Sequence, residues 1–110
     1  MKFDEYQEAT ATTAVYPGQG SITGLYYVGL GLGEAGEVQG KIKKILRDDD
    51  GVLIQEKIDA ISAELGDVLW YLSQTATELG LRLSDVAEYN IEKLFGRRER
   101  GTIKGSGDNR

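Results

Sequence analysis

The strongest structural signal in this chain comes from GLGEAGEV at residues 31–38 and ELGDVLWYL at residues 64–72. Each stretch carries two acidic residues three positions apart, which are Glu34 with Glu37 and Glu64 with Asp67. In an α-helix this spacing places both carboxylates of a pair on one side. Because apolar residues recur beside each pair at helical spacing, the two stretches predict two helices with acidic groups at the edge of an apolar face.

Turn-forming residues divide the rest of the chain into four predicted helical segments. These segments cover roughly residues 3–14, 22–46, 54–79 and 84–98. Gly80 is expected to stop the third helix, and Ser84 is expected to be the N-cap of the fourth. We therefore predict an all-α fold, a four-helix bundle in which the second and third helices are long and antiparallel.

The whole chain, residues 1–110, is predicted to be one domain. Six glycines lie in or beside the second helix, which predicts close packing against neighbouring helices or the close approach of a ligand. Residues 101–110 have no helical pattern, so we expect either a flexible tail or a segment that closes over a bound ligand.

Composition limits the chemistry available to this protein. The 110 residues include no Cys and no His, which excludes disulfides, thiolate zinc sites and imidazole ligands. Any metal must therefore be held by oxygen, which favours Mg²⁺, Mn²⁺ or Ca²⁺. A net charge of -5 argues against a nucleic-acid partner. The absence of a long apolar run and of a signal sequence leads us to expect no membrane association and a cytoplasmic location.

The two acidic pairs are predicted to lie level with each other. At about 1.5 Å per residue, both pairs sit roughly 16 Å from the loop that connects the second and third helices. An antiparallel hairpin would then bring them face to face, as a divalent metal site requires. The alternatives are that the carboxylates only solvate a surface, or that Lys41 and Lys44 neutralise the first pair.

With NIEKL at residues 90–94 and Arg97, these motifs resemble the MazG-like, all-α nucleoside triphosphate pyrophosphohydrolases. The resemblance extends from about residue 26 to the end of the chain. It implies an enzyme that cleaves a nucleoside triphosphate between the α and β phosphates, with Mg²⁺, or Mn²⁺ in its place, as the cofactor. It also implies a homodimer or homotetramer, whose active site includes residues of a neighbouring subunit.

The resemblance also implies roles for particular residues. By position, the metal ligands are Glu34, Glu37, Glu64 and Asp67. Glu34 or Glu37 is the expected catalytic group that orients or deprotonates the attacking water. The cations expected to contact phosphate are Lys41, Lys44, Lys93 and Arg97, although Lys and Arg near a helix C-terminus also suit the helix dipole. The residues expected to contact the nucleoside are Asn90, Trp70 and Tyr71.

Two other functions are compatible with the sequence. One is a phosphoribosyl-ATP pyrophosphohydrolase, and the other is a helical interaction module without catalytic activity. The glycines at positions 31, 33 and 36 match the spacing of a dinucleotide-binding fingerprint. They lie within a helical pattern with no preceding strand, so we reject that function.

Overall fold

The computed structural model describes all 110 residues and confirms the all-α fold. Its five α-helices are α1 (Phe3–Thr12), α2 (Ile22–Gly31), α3 (Ala35–Asp48), α4 (Gln55–Glu78) and α5 (Leu83–Arg100). A 3-10 turn, Leu32–Glu34, joins α2 to α3 without a gap, so these elements form four helical segments. None of the helices combines the length and the apolar character needed to cross a membrane.

The second predicted segment is present, but it is not one uninterrupted α-helix. The 3-10 turn falls in its glycine-rich part, just before Glu34. Glycine is a poor helix former, and a 3-10 turn winds more tightly than an α-helix. Residues before and after the turn are therefore rotated relative to each other, away from the positions that a continuous helix would give them.

Helix α4 is the centre of the fold and contacts every other helix. Its contact with α1 is made largely by polar side chains that are buried. The hydroxyl of Thr10 lies 2.9 Å from the hydroxyl of Ser73 and 2.8 Å from Oε1 of Gln74. Both of these α4 side chains are almost completely buried, and buried polar groups remain stable only when they are paired.

The loop between α1 and α2 is held against α4 by Glu78. Its carboxylate accepts hydrogen bonds from the hydroxyl of Tyr16 at 2.7 Å and from the backbone N–H of Gly20 at 2.9 Å. Burial and the bond to Glu78 together raise the pKa of the Tyr16 phenol. These contacts fix where α2 begins, and thus where the 3-10 turn and Glu34 lie along α4.

The start of α5 corrects one sequence-based expectation, because Ser84 is not its N-cap. The helix begins at Leu83, and its first free backbone donors are satisfied by α1. The N–H of Leu83 donates to Oε1 of Gln7 at 2.8 Å, and the N–H of Ser84 donates to Oδ1 of Asp4 at 3.2 Å. A sequence pattern could not indicate this cap, since its acceptors come from the other end of the chain.

Glycines end α4 and α5 in the same way. At the end of α4, Gly80 has a φ of 71°, and the N–H of Leu81 donates to the carbonyl of Ala76 at 2.8 Å. This is the Schellman arrangement, in which a left-handed glycine lets the chain turn back on its helix. It confirms the stop that was predicted at Gly80. Gly101 ends α5 with the same φ of 71°.

The single chain leaves much of its apolar surface in contact with solvent. Its fully buried hydrophobic residues are only Val28, Ile45, Ala76 and Leu83. The radius of gyration is 16.9 Å, compared with about 13 Å for a compact domain of this length. The helices therefore form an open arrangement with apolar faces that have no partner within the chain.

Candidate metal and nucleotide site

One cavity brings together acidic and aromatic residues from three parts of the chain. Its volume is about 430 Å³, and its lining consists of Thr13, Glu34, Asp67, Trp70 and Tyr71. The carboxylates come from the 3-10 turn and from α4, and the two rings also come from α4. Four of these five residues were predicted from the sequence to be site residues, and the structure places one member of each acidic pair in the same cavity.

The aromatic wall of this cavity is held in a fixed orientation. The indole N–H of Trp70 donates to the hydroxyl of Thr13 at 2.9 Å. The Trp70 ring meets the Tyr71 ring edge to face, with 5.3 Å between their centroids, and meets the Tyr16 ring in the same way at 6.4 Å. Edge-to-face pairs are favourable, so the indole is supported by several contacts before any ligand arrives.

Gly31 explains how Tyr71 reaches the cavity. The tyrosine ring lies directly against the backbone of α2, where a Cβ atom on residue 31 would overlap its Cδ1 and Cε1 atoms. Close packing also explains Gly24, whose Cβ would lie only 2.5 Å from the backbone carbonyl oxygen of Gly18. In contrast, Gly29, Gly33 and Gly36 face open space, so packing within the chain does not account for them.

The two remaining carboxylates do not line this cavity. Glu37 is exposed to solvent. Glu64 is half-buried, and its Oε1 atom lies 3.8 Å from Nζ of Lys41. Within the single chain, no three acidic side chains come together as a group that could hold a metal ion. The assignment of all four residues as metal ligands therefore stays a prediction.

The donor atoms of the cavity nevertheless suit Mg²⁺. Glu34 and Asp67 supply carboxylate oxygens, whereas the Thr13 hydroxyl already accepts from the Trp70 indole and donates to the carbonyl of Thr10. Mg²⁺ usually keeps several waters and is bound through one or two carboxylates together with substrate phosphates. Glu34 and Asp67 are thus the residues that would hold the ion, with Glu37 and Glu64 one helical turn away from them along the chain.

Lys41 and Lys44 occupy a different position from the one proposed for them as neutralising partners of the first acidic pair. Lys41 pairs with Glu64, a member of the second pair. Both lysines line a second cavity between α3 and α4, of about 200 Å³, together with Lys57. This cationic cavity lies beside Glu64, further towards the α3–α4 loop than the cavity of Glu34 and Asp67.

The predicted phosphate and nucleoside residues on α5 do not line the cavity of Glu34 and Asp67. Helix α5 contacts α1 and α4 but makes no contact with α2, the 3-10 turn or α3. Lys93 and Arg97 interact instead with Asp108 of the tail, at 3.6 and 3.5 Å. Asn90 is exposed. A single chain therefore does not bring the α5 residues to the cavity of Glu34 and Asp67.

Sequence reasoning missed Thr13 and Tyr6. Thr13 is 57 positions from the indole that it holds, so no local pattern could link the two. Tyr6 of α1 lies close enough to Asp67 for the charge of that carboxylate to add to the effect of burial, and together they raise the pKa of the Tyr6 phenol. Only the packing of α1 on α4 places these residues near the site.

A family model and one relative match this chain. A family model described as the MazG nucleotide pyrophosphohydrolase domain matches residues 25–102, which include the cavity carboxylates and rings and the α5 cations. A protein of Mycobacterium phage L5, named Gene 37 protein, is 56% identical over 114 aligned residues, which cover 100% of both chains. No solved structure matches this chain.

Proposed function

We propose, since this chain belongs to the family of MazG nucleotide pyrophosphohydrolase domains, that it hydrolyses nucleoside triphosphates to the monophosphate and pyrophosphate with the help of Mg²⁺ or Mn²⁺. The observation that carries this proposal is the cavity shared by Glu34, Asp67, Trp70 and Tyr71. It offers both a carboxylate edge and aromatic faces. A nucleotide needs both, because its phosphates bind through metal and its base stacks on aromatic rings.

The chain's own residues would position the substrate. Trp70, held by Thr13, would stack against the base, while Glu34 and Asp67 would hold the ion that binds the phosphates. The bound ion would neutralise part of the negative charge on the phosphates. With no histidine in the chain, Glu34 or Glu37 would accept a proton from the attacking water.

The active form is proposed to be a homodimer or a homotetramer. Along α4 and its C-cap, large aliphatic side chains are exposed every seven residues, at Ile58, Leu65, Leu72 and Leu79. Half-buried Ile61 and Val68 fall between them at the spacing of a two-helix seam. A second copy of the chain offers the same stripe, and pairing the two stripes would cover apolar surface that the open single chain leaves in water.

Association would also complete the site. In the single chain Lys93 and Arg97 form their ion pairs with Asp108, and no α5 residue lines the cavity of Glu34 and Asp67. A second copy could bring its α5 cations to the phosphates. Arg97 would then bind the leaving pyrophosphate through paired N–H groups, and Lys93 would bind it through its ammonium charge.

The test is a substrate panel. The protein is incubated with ribo- and deoxyribonucleoside triphosphates and with phosphoribosyl-ATP, with and without Mg²⁺, and pyrophosphate release is measured. We expect Mg²⁺-dependent release from at least one nucleoside triphosphate. Glu34→Gln, Glu37→Gln and Asp67→Asn should each reduce kcat by at least about 100-fold. Glu56→Gln on the exposed first turn of α4 is the matched control and should retain activity.

The outcomes separate the alternatives. Release from phosphoribosyl-ATP alone would replace the proposed substrate class with that one. A protein that releases no pyrophosphate from any substrate, and whose melting temperature does not respond to Mg²⁺, would instead be a helical interaction module.

A further inference from the structure

We propose that residues 102–110 act as an internal competitor of the substrate, because they place the carboxylate of Asp108 on the cations Lys93 and Arg97. This inference rests on the proposed function, in which those cations bind phosphate. The Asp108 Oδ1 atom lies 3.6 Å from Nζ of Lys93 and 3.5 Å from Nη2 of Arg97. One carboxylate therefore pairs with both cations in the free chain and offsets part of their charge.

The end of α5 directs the tail towards these cations. Gly101 adopts a left-handed conformation, and the N–H of Thr102 donates to the carbonyl of Arg97 at 2.8 Å. The N–H of Gly101 also donates to the carbonyl of Arg98 at 3.2 Å, which completes a Schellman motif. The chain thus reverses at the end of the helix and returns along the side that carries Arg97.

The returning segment is closed into a loop by its own hydrogen bonds. Nε of Arg110 donates to the carbonyl of Thr102 at 3.0 Å, and the hydroxyl of Thr102 donates to the carbonyl of Arg110 at the same distance. Arg100 donates to the same Arg110 carbonyl at 2.9 Å. The loop is therefore closed on itself, and Arg97 and Arg100 are the α5 side chains that hold it against the helix.

The tail is an imperfect partner for Arg97. The side chain of Arg97 is only 6% exposed, yet its Nε–H has no hydrogen-bond partner. All the acceptors of the tail lie on Nη2, namely the carbonyls of Gly107 at 3.4 Å and Asp108 at 3.1 Å and the distant Asp108 carboxylate. A buried donor without an acceptor is costly, so the pocket around Arg97 is suited to a better anion.

A phosphate group is that better anion. Its oxygens can accept from Nε and Nη2 together, in the paired geometry that guanidinium groups favour. The Asp108 side chain is 88% exposed, so it can leave for solvent with little loss of packing. Nucleotide binding would therefore displace Asp108, and the chain would bind phosphates less tightly than it would without that carboxylate.

The experiment measures binding of inorganic pyrophosphate, which requires no turnover. Calorimetric titration compares the full-length wild-type chain with Asp108→Asn, which keeps the size of the side chain and removes its charge. We expect the variant to bind pyrophosphate about twofold to fivefold more tightly, the range for loss of a partly exposed competing ion pair. Asp50→Asn, in the exposed turn after α3, is the control with the same change in net charge and should bind as the wild type does.

A second background tests the mechanism. In Lys93→Gln, one of the two cations is absent, so the gain from Asp108→Asn should shrink. Nuclear magnetic resonance adds a structural readout, in which pyrophosphate should shift the backbone amide signals of residues 105–109 of the wild type towards unfolded values. Thermal unfolding of each variant verifies that α5 remains folded.

The failures of the two proposals can be distinguished. Equal pyrophosphate affinity in the wild type and in Asp108→Asn would overturn the competitor role, even if the substrate panel shows turnover. The competitor role would also be overturned if neither protein binds pyrophosphate while triphosphates are hydrolysed. Absence of both pyrophosphate binding and turnover would overturn the proposed function, and the competitor role with it.

Discussion

Asp4 of α1 binds Ser84 of α5 through two hydrogen bonds, from the backbone N–H at 3.2 Å and from the hydroxyl at 3.0 Å. The same carboxylate accepts a bond from Nη2 of Arg82 at 2.7 Å. Hydrogen bonds from Arg82 and Ser84 hold the pKa of Asp4 below its ordinary value. One side chain near the start of the sequence therefore anchors the last helix.

This contact predicts a loss of stability in acid. Because the pKa of Asp4 is lower in the folded state than in the unfolded state, its bonds contribute fully above about pH 5. Their contribution declines at lower pH and is lost as the pH falls through the lowered pKa of the folded state, where the carboxylate becomes protonated. Asp4→Asn should lower the melting temperature at pH 7, and the difference from the wild type should narrow towards pH 3. Calorimetric melting at several pH values measures this.

Glu8→Gln provides the control for that experiment, since Glu8 is an exposed carboxylate on the same helix. Its effect should be small at every pH. A difference between Asp4→Asn and the wild type that stays constant from pH 7 to pH 3 would contradict the role assigned to the ionised carboxylate.

Thr10 joins α1 to α4 through a buried polar contact, so its hydroxyl should matter for stability. Thr10→Val would leave Ser73 and Oε1 of Gln74 buried without the partner that they have now. We expect the free energy of unfolding to fall by about 1–3 kcal/mol. Urea denaturation at fixed protein concentration measures this. Thr12→Val is the matched control, because Thr12 is exposed and bonds only to the carbonyl of Ala9 in its own helix; an equal loss in both variants would contradict the prediction.

Gly31 should be intolerant of a methyl group, whereas Gly29 in the same helix should accept one. In Gly31→Ala the new Cβ overlaps the Tyr71 ring, which must move within the cavity. We expect a loss of about 1–3 kcal/mol from such overpacking. Gly29→Ala meets no atom within 4 Å and should add about 0.5–1 kcal/mol in the helix. Thermal unfolding measures the stability of both variants. Equal stability of Gly31→Ala and Gly29→Ala would argue against the contact between residue 31 and the Tyr71 ring.

Hydrophobic periodicity and turn-forming residues were enough to predict the four helical segments. The apolar spacing and the glycine at position 80 predicted α4 and its end closely, because both depend on residues near each other in sequence. The break at Leu32–Glu34 was missed, since a helical wheel assumes a uniform rotation that the glycines do not maintain. The cap of α5 was missed because its acceptors, Asp4 and Gln7, are distant in sequence.

The site was predicted only as far as local spacing reaches. The helical spacing of the acidic pairs and their equal distance from the α3–α4 loop suggested that the two pairs face each other. Glu34 and Asp67 do share a cavity. The sequence left open that Lys41 neutralises the first acidic pair, whereas in the structure Lys41 reaches across to Glu64 of the second pair. Thr13 reaches the Trp70 indole, and Asp108 reaches Lys93 and Arg97, only because the chain ends fold onto α4 and α5, which no pattern within a helix could predict.

The proposed sharing of the site between two copies predicts that two inactive variants can rescue each other. Asp67→Asn damages the carboxylate half, and Lys93→Gln damages the cation half. If each site takes carboxylates from one copy and α5 cations from the other, a mixed dimer has one intact site. Half of randomly mixed dimers are of this kind, so the mixture should regain about one quarter of wild-type activity. Activity is assayed after the two proteins are mixed and allowed to exchange subunits.

The rescue depends on the apolar stripe of α4. Leu72 is 41% exposed in the single chain, and Leu72→Gln removes apolar surface from the middle of that stripe. Adding this change to both inactive variants should abolish rescue and lower the molar mass measured by light scattering. Glu56→Gln, on an exposed position of the same helix outside the heptad stripe, should leave the rescue intact. If the mixture stays inactive although light scattering and labelled-subunit exchange show mixed dimers, each site uses cations from its own chain and the shared arrangement is wrong.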